Sequence, residues 1–244
     1  MNQMQRAVRY FASAAIVLGL VTTTSVSATN AETYIAGQFG VTLPMVDGGL
    51  KSIDVNSSVL LPGTTHSDLE LSKSVMYGGK VGHYFNAARW LGVEAEAFYT
   101  TPHIEQQVHT FQNPAVPGVT PSATLQGAHF RVLTVAPINV MLRYHRTRLQ
   151  PYVGVGPGIF FARIRGEGST PGSSESSSDN VRVGLNAKVG LEFYLTRNLT
   201  IFAEWKFNYA RFSFGENTNL FPFPYGFDTT YQMHLVSGGI GFHF

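Results

Sequence analysis

The chain has 244 residues, with 25 Gly, 18 Phe, 11 Tyr and no Cys; only 13% of it is charged, for a formal net charge of +2. A soluble domain carries about 25% charged residues, so an ordinary water-exposed surface is not expected. The small net charge, with no basic run interleaved with aromatics, argues against a nucleic-acid partner. The absence of cysteine excludes disulfide frameworks, thiol catalysis and cysteine-ligated metals.

At the N-terminus, Arg6 and Arg9 precede an apolar stretch from Phe11 to Val21, followed by a Thr/Ser segment. Val26-Ser27-Ala28 places small residues at a cleavage position, and Thr29-Asn30-Ala31 offers a second. An apolar core this short does not span a bilayer, which takes about 20 residues, and the pattern reads as a secretory signal peptide. The expected organisation is a signal peptide over residues 1–28, cleaved after Ala28 or Ala31, and one β domain over residues 32–244.

Beyond the signal the chain alternates with a period of two. Strands are expected at about 33–42, 71–85, 91–99, 130–144, 150–164, 181–195, 201–209 and 229–244. The pattern is clearest from Val181 to Leu195, where Val181, Val183, Leu185, Ala187, Val189, Leu191 and Phe193 share one face. Arg182, Asn186, Lys188 and Glu192 lie on the other. Ile201, Ala203, Trp205, Phe207 and Tyr209 likewise oppose Phe202, Glu204, Lys206 and Asn208, and Glu94 and Glu96 oppose Leu91, Val93, Ala95, Ala97 and Tyr99. In 130–144, Phe130, Val132, Ala136, Ile138, Val140 and Leu142 are assigned to one face, with Arg131, Asn139 and Arg143 opposite. Pro137 and Pro157 each remove a ladder donor, which predicts bulges or bends there.

Long connections at 43–70, 102–126, 165–179 and 214–228 alternate with short turns near Asn86–Arg89, His145–Arg148 and Thr196–Asn198. That is the plan of an all-β, eight-stranded antiparallel up-and-down transmembrane barrel, with short turns in the periplasm and long loops outside. A soluble barrel also alternates, with its apolar face inward. Here the polar face is rich in Gly and small residues, which suits a crowded lumen. Phe85, Trp90, Tyr144 and Phe193 lie toward the short turns, and Tyr99, Phe130, Phe161 and Tyr209 toward the long loops, as two interfacial girdles would. The C-terminus adds Ile240, Phe242 and Phe244 on one face, an arrangement resembling the terminal signal that assembly machinery reads on bacterial outer-membrane barrels.

The stretches Gly79-Lys80-Val81-Gly82-His83-Tyr84-Phe85, Gln150-Pro151-Tyr152-Val153-Gly154-Val155-Gly156, Gly190-Leu191-Glu192-Phe193-Tyr194 and Ile240-Gly241-Phe242-His243-Phe244 carry a resemblance. The chain resembles the small outer-membrane β-barrel superfamily that includes the opacity-type proteins and the OmpA-type transmembrane domain. The resemblance covers nearly all of residues 32–244 and implies the fold and a cell outer membrane location in a Gram-negative envelope. It leaves activity open, because such barrels serve adhesion, anchoring, solute passage and lipid modification. The partners implied are outer-membrane lipid and lipopolysaccharide, and the assembly machinery during biogenesis, with a surface ligand reached through the long loops.

Charges expected in the lumen are Lys80, Glu94, Glu96, Arg131, Arg143, Arg182, Lys188, Glu192, Glu204 and Lys206. Eight strands enclose room for side chains or one small ligand, and buried charges must pair, so a polar plug is expected, with arginines as partners of Glu94 and Glu96. An open ion path is the alternative. His66 near Asp68 and Glu70, and His103 and His109 flanking Glu105, have no specific metal-ligand spacing, and no cofactor is expected. A lipid A-modifying acyl hydrolase would need a Ser–His pair; His234 and Ser237 are three apart and fall on opposite faces. In the fourth loop, Phe221, Phe223, Tyr225 and Phe227 are candidates for a contact surface. The expectation is a non-enzymatic outer-membrane barrel acting in envelope structure or surface interaction, with a narrow channel or solute conduit as the alternative.

Overall fold

Strands that alternate apolar and polar faces leave two raw edges, and closure of the sheet on itself removes both. The computed structural model describes residues 32–44, 49–56, 60–125, 127–166, 177–215 and 226–244. In chain order its strands are β1 (Glu32–Leu43), β2 (Gly49–Asn56), β3 (Thr65–His66), β4 (Val75–Phe85), β5 (Ala88–Thr100), β6 (His103–Ile104) and β7 (Gln107–Gln112). They continue as β8 (Ser122–Leu125), β9 (Ala128–Arg143), β10 (Leu149–Gly166), β11 (Ser177–Tyr194), β12 (Leu199–Phe214) and β13 (Gly226–His243). Eight of them pair antiparallel in the order β1-β4-β5-β9-β10-β11-β12-β13, and β13 pairs back onto β1 from Tyr34↔His243 to Leu43↔His234. The expected eight-stranded barrel is present. The expected signal peptide at 1–28, and Phe221, Phe223 and Tyr225, lie outside the described residues.

The wall is apolar on the outside. Ile35, Phe39, Val93, Val140, Val153, Val189, Leu191, Trp205 and Ile240 each expose between 38% and 61% of their surface. On a soluble protein such a continuous band would be an aggregation surface; here it is the surface that hydrocarbon covers. Phe85, Trp90, Tyr144 and Phe193 stand exposed at the short-turn end, as expected of a girdle.

Both prolines mark irregularities. The register of β9 against β5 slips by one residue between Glu94↔Asn139 and Glu96↔Ala136, around Pro137. Against β10 it slips between Val155↔Val140 and Ile159↔Val135, around Pro157. A one-residue slip moves every following side chain to the other face. Ile138, Val140 and Leu142 therefore face outward while Phe130, Val132 and Ala136 are buried, and the single face assigned to these residues is corrected. By the same inversion Arg131 faces outward, opposite Arg163 and exposed.

The first two long connections are more ordered than expected of loops. β2 continues the line of β1 along the upper part of β13, with Leu50↔Tyr231 and Val55↔Phe227 in register. β6 pairs with β9, while β3, β7 and β8 form a small sheet beside it. Two tight turns shape this extension. In Leu61-Pro62-Gly63-Thr64 and Val116-Pro117-Gly118-Val119, Gly63 (φ 79°) and Gly118 (φ 86°) occupy the left-handed position of a type II turn after proline. The closing bonds run from Thr64 N–H to Leu61 O (3.2 Å) and from Val119 N–H to Val116 O (3.4 Å).

Candidate functional site in the barrel interior

The interior is divided into layers. Toward the middle, β4, β5, β11 and β12 project Lys80, Glu94, Glu96, Lys188, Glu204 and Lys206 inward, each at most 8% exposed. These three acids and three bases close a cycle of alternating charge. Lys80 pairs with Glu204 and, at 3.7 Å, with Glu94. Lys188 pairs with Glu94 and, at 2.6 Å, with Glu96. Lys206 pairs with Glu96 and, at 3.1 Å, with Glu204. Every charge thus has two opposite neighbours and the cycle is neutral, the condition under which burial of ions is tolerated.

Neutral donors complete each carboxylate. Tyr34 OH donates to Glu94 (2.5 Å), Tyr152 OH to Glu204 (2.7 Å) and Asn186 Nδ2 to Glu96 (2.7 Å). Lys80 Nζ also sits 3.8 Å from the centre of the Phe202 ring, a cation–π contact. Lys188 and Lys206 lie directly opposite on neighbouring strands, where like charges repel; Glu96, reaching across the lumen from β5, neutralises both. Lysines, rather than the expected arginines, are therefore the partners of Glu94 and Glu96.

Arg143 and Glu192 belong to a second cluster at the short-turn mouth of the barrel. Arg143 donates to Glu32 through Nη1 (2.9 Å) and Nη2, and lies 3.6 Å from the centre of the Tyr84 ring. His243 links Glu32 (2.6 Å) to Glu192 (2.9 Å), and Thr200 Oγ1 donates to Glu192 (2.8 Å). Glu32 and His243 are additions to the expected site residues: Glu32 precedes the first expected strand, whereas the alternation of Ile240, Phe242 and Phe244 does place His243 on the inner face. Of the ten expected lumen charges, Arg131 and Arg182 fall outside both clusters and are exposed. Arg131 was misplaced by the bulge described above; Arg182 lies far up β11, opposite Phe160.

Above the charges the interior is apolar. Phe98, Phe130, Phe160, Phe212, Phe214, Tyr231, Met233 and Leu235 are all buried in one cluster that also takes in Leu50, Leu69, Ile104 and Phe111 from the extension built by the first two long connections. Phe130 lies edge-on to Phe212 (6.4 Å), Phe214 (6.5 Å) and Tyr231 (6.0 Å). Phe130 is thus part of this plug rather than of an outer girdle. Phe227, expected in a contact loop, is fully buried beside Phe214 (5.3 Å) and His66 (5.6 Å), because it begins a strand whose inward face joins the cluster.

Residues with hydrolytic or metal-binding potential are not assembled for it. His234 lies outside, against Trp205 (5.3 Å) and Phe207 (5.0 Å), while Ser237 is buried on the inner face. A different pair does meet: His109 Nδ1 lies 2.7 Å from the Ser67 hydroxyl and 3.0 Å from its carbonyl, and His66 Nδ1 lies 2.5 Å from the same carbonyl. A nitrogen held against a carbonyl carries its proton and cannot take one from the hydroxyl, so this contact fixes two rings rather than activating a serine. Burial pushes the His66 imidazole down to about 4 and lowers His109 as well. His103 packs on His129 (5.0 Å), away from His109, and no group of three metal-ligating side chains occurs among the described residues.

A closed antiparallel barrel with an apolar outer wall and a filled interior is a protein of the bacterial outer membrane. The outer membrane protein beta-barrel domain matches residues 16–244, and the chain belongs to that family. Among solved structures it is similar to the outer membrane protein OprG of Pseudomonas aeruginosa, at 14% identity with a TM-score of 0.53, over 88% of this chain and 96% of that one. It is also similar to Ail, the attachment invasion locus protein of Yersinia pestis, solved with the heparin analogue sucrose octasulfate. That match has 13% identity and a TM-score of 0.46, over 88% and 100% of the two chains. Neisserial surface protein A matches at 15% identity and a TM-score of 0.43, over the same shares. No curated protein matches the chain.

Proposed function

We propose that this protein is a closed, non-enzymatic barrel that serves as a rigid outer-membrane platform and acts at the cell surface through its extracellular extension. The observation that carries this reading is the two-layer filling of the interior. A neutral six-charge cycle is overlaid by an aromatic plug, both of buried side chains. Ions entering from one side would meet hydrocarbon, and apolar solutes from the other would meet fixed charge. The extension supplies the working surface. Asn113 Nδ2 donates to Pro62 O (3.1 Å) and Thr64 Oγ1 (2.9 Å), tying the two Pro-Gly turns together. Around this tie Leu61, Val116 and Val119 expose 57%, 38% and 56% of their surface, an apolar tip on an otherwise stiff frame. Ile240, Phe242 and Phe244, exposed together at the end of β13, fit the part of an assembly signal.

Conductance in a planar bilayer tests the proposal, using protein whose gel mobility changes on boiling as proof that it is folded. The expected result is silence over the full voltage range. Discrete single-channel steps from folded protein would overturn the reading in favour of a narrow channel.

A further inference from the structure

The periplasmic rim carries a feature that the platform role does not use. The second short turn, His145-Arg146-Thr147-Arg148, and the third, Leu195-Thr196-Arg197-Asn198, come from neighbouring hairpins and contain no acid. Between them lies a surface cavity of about 490 Å³, lined by Arg146, Arg148 and Arg197 together with Thr147, Thr196 and Leu195. All three arginines are exposed, and among the described residues none forms an ion pair. Glu192, the acid nearest the third turn in the chain, is committed to His243, and Glu32 to Arg143 and His243.

The cleft is held in shape by its own backbone. Tyr194 N–H donates to Arg148 O (3.0 Å), joining the two turns, and Thr196 Oγ1 accepts from Leu199 N–H (3.0 Å). Three guanidinium groups gathered on a fixed cleft repel one another unless an anion neutralises them, and guanidinium forks suit phosphate oxygens. The location narrows the anion. Leu195 lines the cleft and is 48% exposed, and Leu149 and Phe193, paired in register beside it, continue the lipid-facing wall. The site therefore has charge on its periplasmic side and hydrocarbon immediately below.

We propose that this cleft binds the phosphate of an anionic phospholipid of the inner leaflet, with Arg146, Arg148 and Arg197 on the headgroup and Leu195 beside the first acyl carbons. The test follows backbone amide signals of the folded barrel in zwitterionic micelles during titration with short-chain phosphatidylglycerol, short-chain phosphatidylcholine or inorganic phosphate. Phosphatidylglycerol should give saturable shifts confined to residues 145–148 and 194–198, with phosphatidylcholine giving none. The variant R146Q/R148Q/R197Q, whose changes are confined to exposed turn positions and whose folding is checked by gel mobility, should bind roughly tenfold more weakly or worse. Equal binding by that variant would overturn the site. Inorganic phosphate reproducing the same shifts at the same concentration would overturn the lipid assignment and leave a free-anion site.

Discussion

Glu96 is the most heavily used member of the charge cycle, and its replacement gives the sharpest test of the interior. Its carboxylate meets Lys188 and Lys206 and accepts from Asn186. Glu96→Gln keeps the volume and one accepting oxygen but leaves the cycle with three cations and two anions, in a layer with no water-exposed side chain to absorb the excess. Removing one partner of a buried pair costs about 3–5 kcal/mol. Lys206→Met should cost less than that when added to Glu96→Gln, because the double variant is neutral again and the new methionine packs beside Phe98, whose ring already lies 5.0 Å from Lys206 Nζ. The two changes should be coupled by about 1–3 kcal/mol in the favourable direction. Urea-driven loss of the compact gel band in lipid vesicles, approached from folded and unfolded protein, measures both quantities. A Glu96→Gln cost below about 0.5 kcal/mol, with no coupling, would place the charges in water and refute both the closed cycle and the plug.

Three further outcomes follow from the same structure. His66 is neutral when folded because burial holds it at about 4, against an ordinary value near 6.5; its contribution is intact above pH 6.5 and is lost as pH falls toward 4, by about 2 kcal/mol at pH 5. Protection factors for hydrogen exchange, taken relative to the intrinsic rate at each pH, should therefore fall at β3 and β7 between pH 7.5 and pH 5 while those of β11 and β12 hold, and equal protection factors at both pH values would refute it. Phe130→Ala, packed among three buried rings, should lower stability by about 3–5 kcal/mol; a loss under 1 kcal/mol in the same urea assay would show that the cluster is loosely packed. Replacing Phe242 and Phe244 together by Ser should reduce assembly in cells far more than stability after refolding in vitro, since both side chains are half exposed; parallel losses would make their role structural.

Alternation was sufficient to read the eight wall strands and the outward faces of β5, β11 and β12, because side-chain direction in a strand has a fixed period and lipid tolerates little else. It failed at β9. The inversion at Pro137 is a property of pairing, and a parity count carried through the proline misassigned Phe130, Val132 and Arg131 together. The charge cycle was legible as a set of inward residues but not as a cycle, since Lys80 and Glu204 are 124 residues apart and Glu96 and Lys206 are 110 apart. The apolar plug was harder still. Phe98 and Phe212 fall on the face that lower in the same strands carries charge, so the change of character along the strand axis looks in sequence like noise. The Pro-Gly pairs at Pro62 and Pro117 carry a readable turn signal inside segments whose composition is otherwise that of loops.

The closed cycle also bears on how the barrel is lost rather than how it is made. Its six charges sit on β4, β5, β11 and β12, and Glu96 meets Lys206 from the opposite side of the ring. They cannot all be neutralised until the sheet has closed through β13 and β1. Contacts that form only after the rate-limiting barrier leave the rate of formation unchanged and slow the reverse step. The cycle therefore acts as a latch: it lengthens the lifetime of a finished barrel without demanding anything of the chain while it inserts.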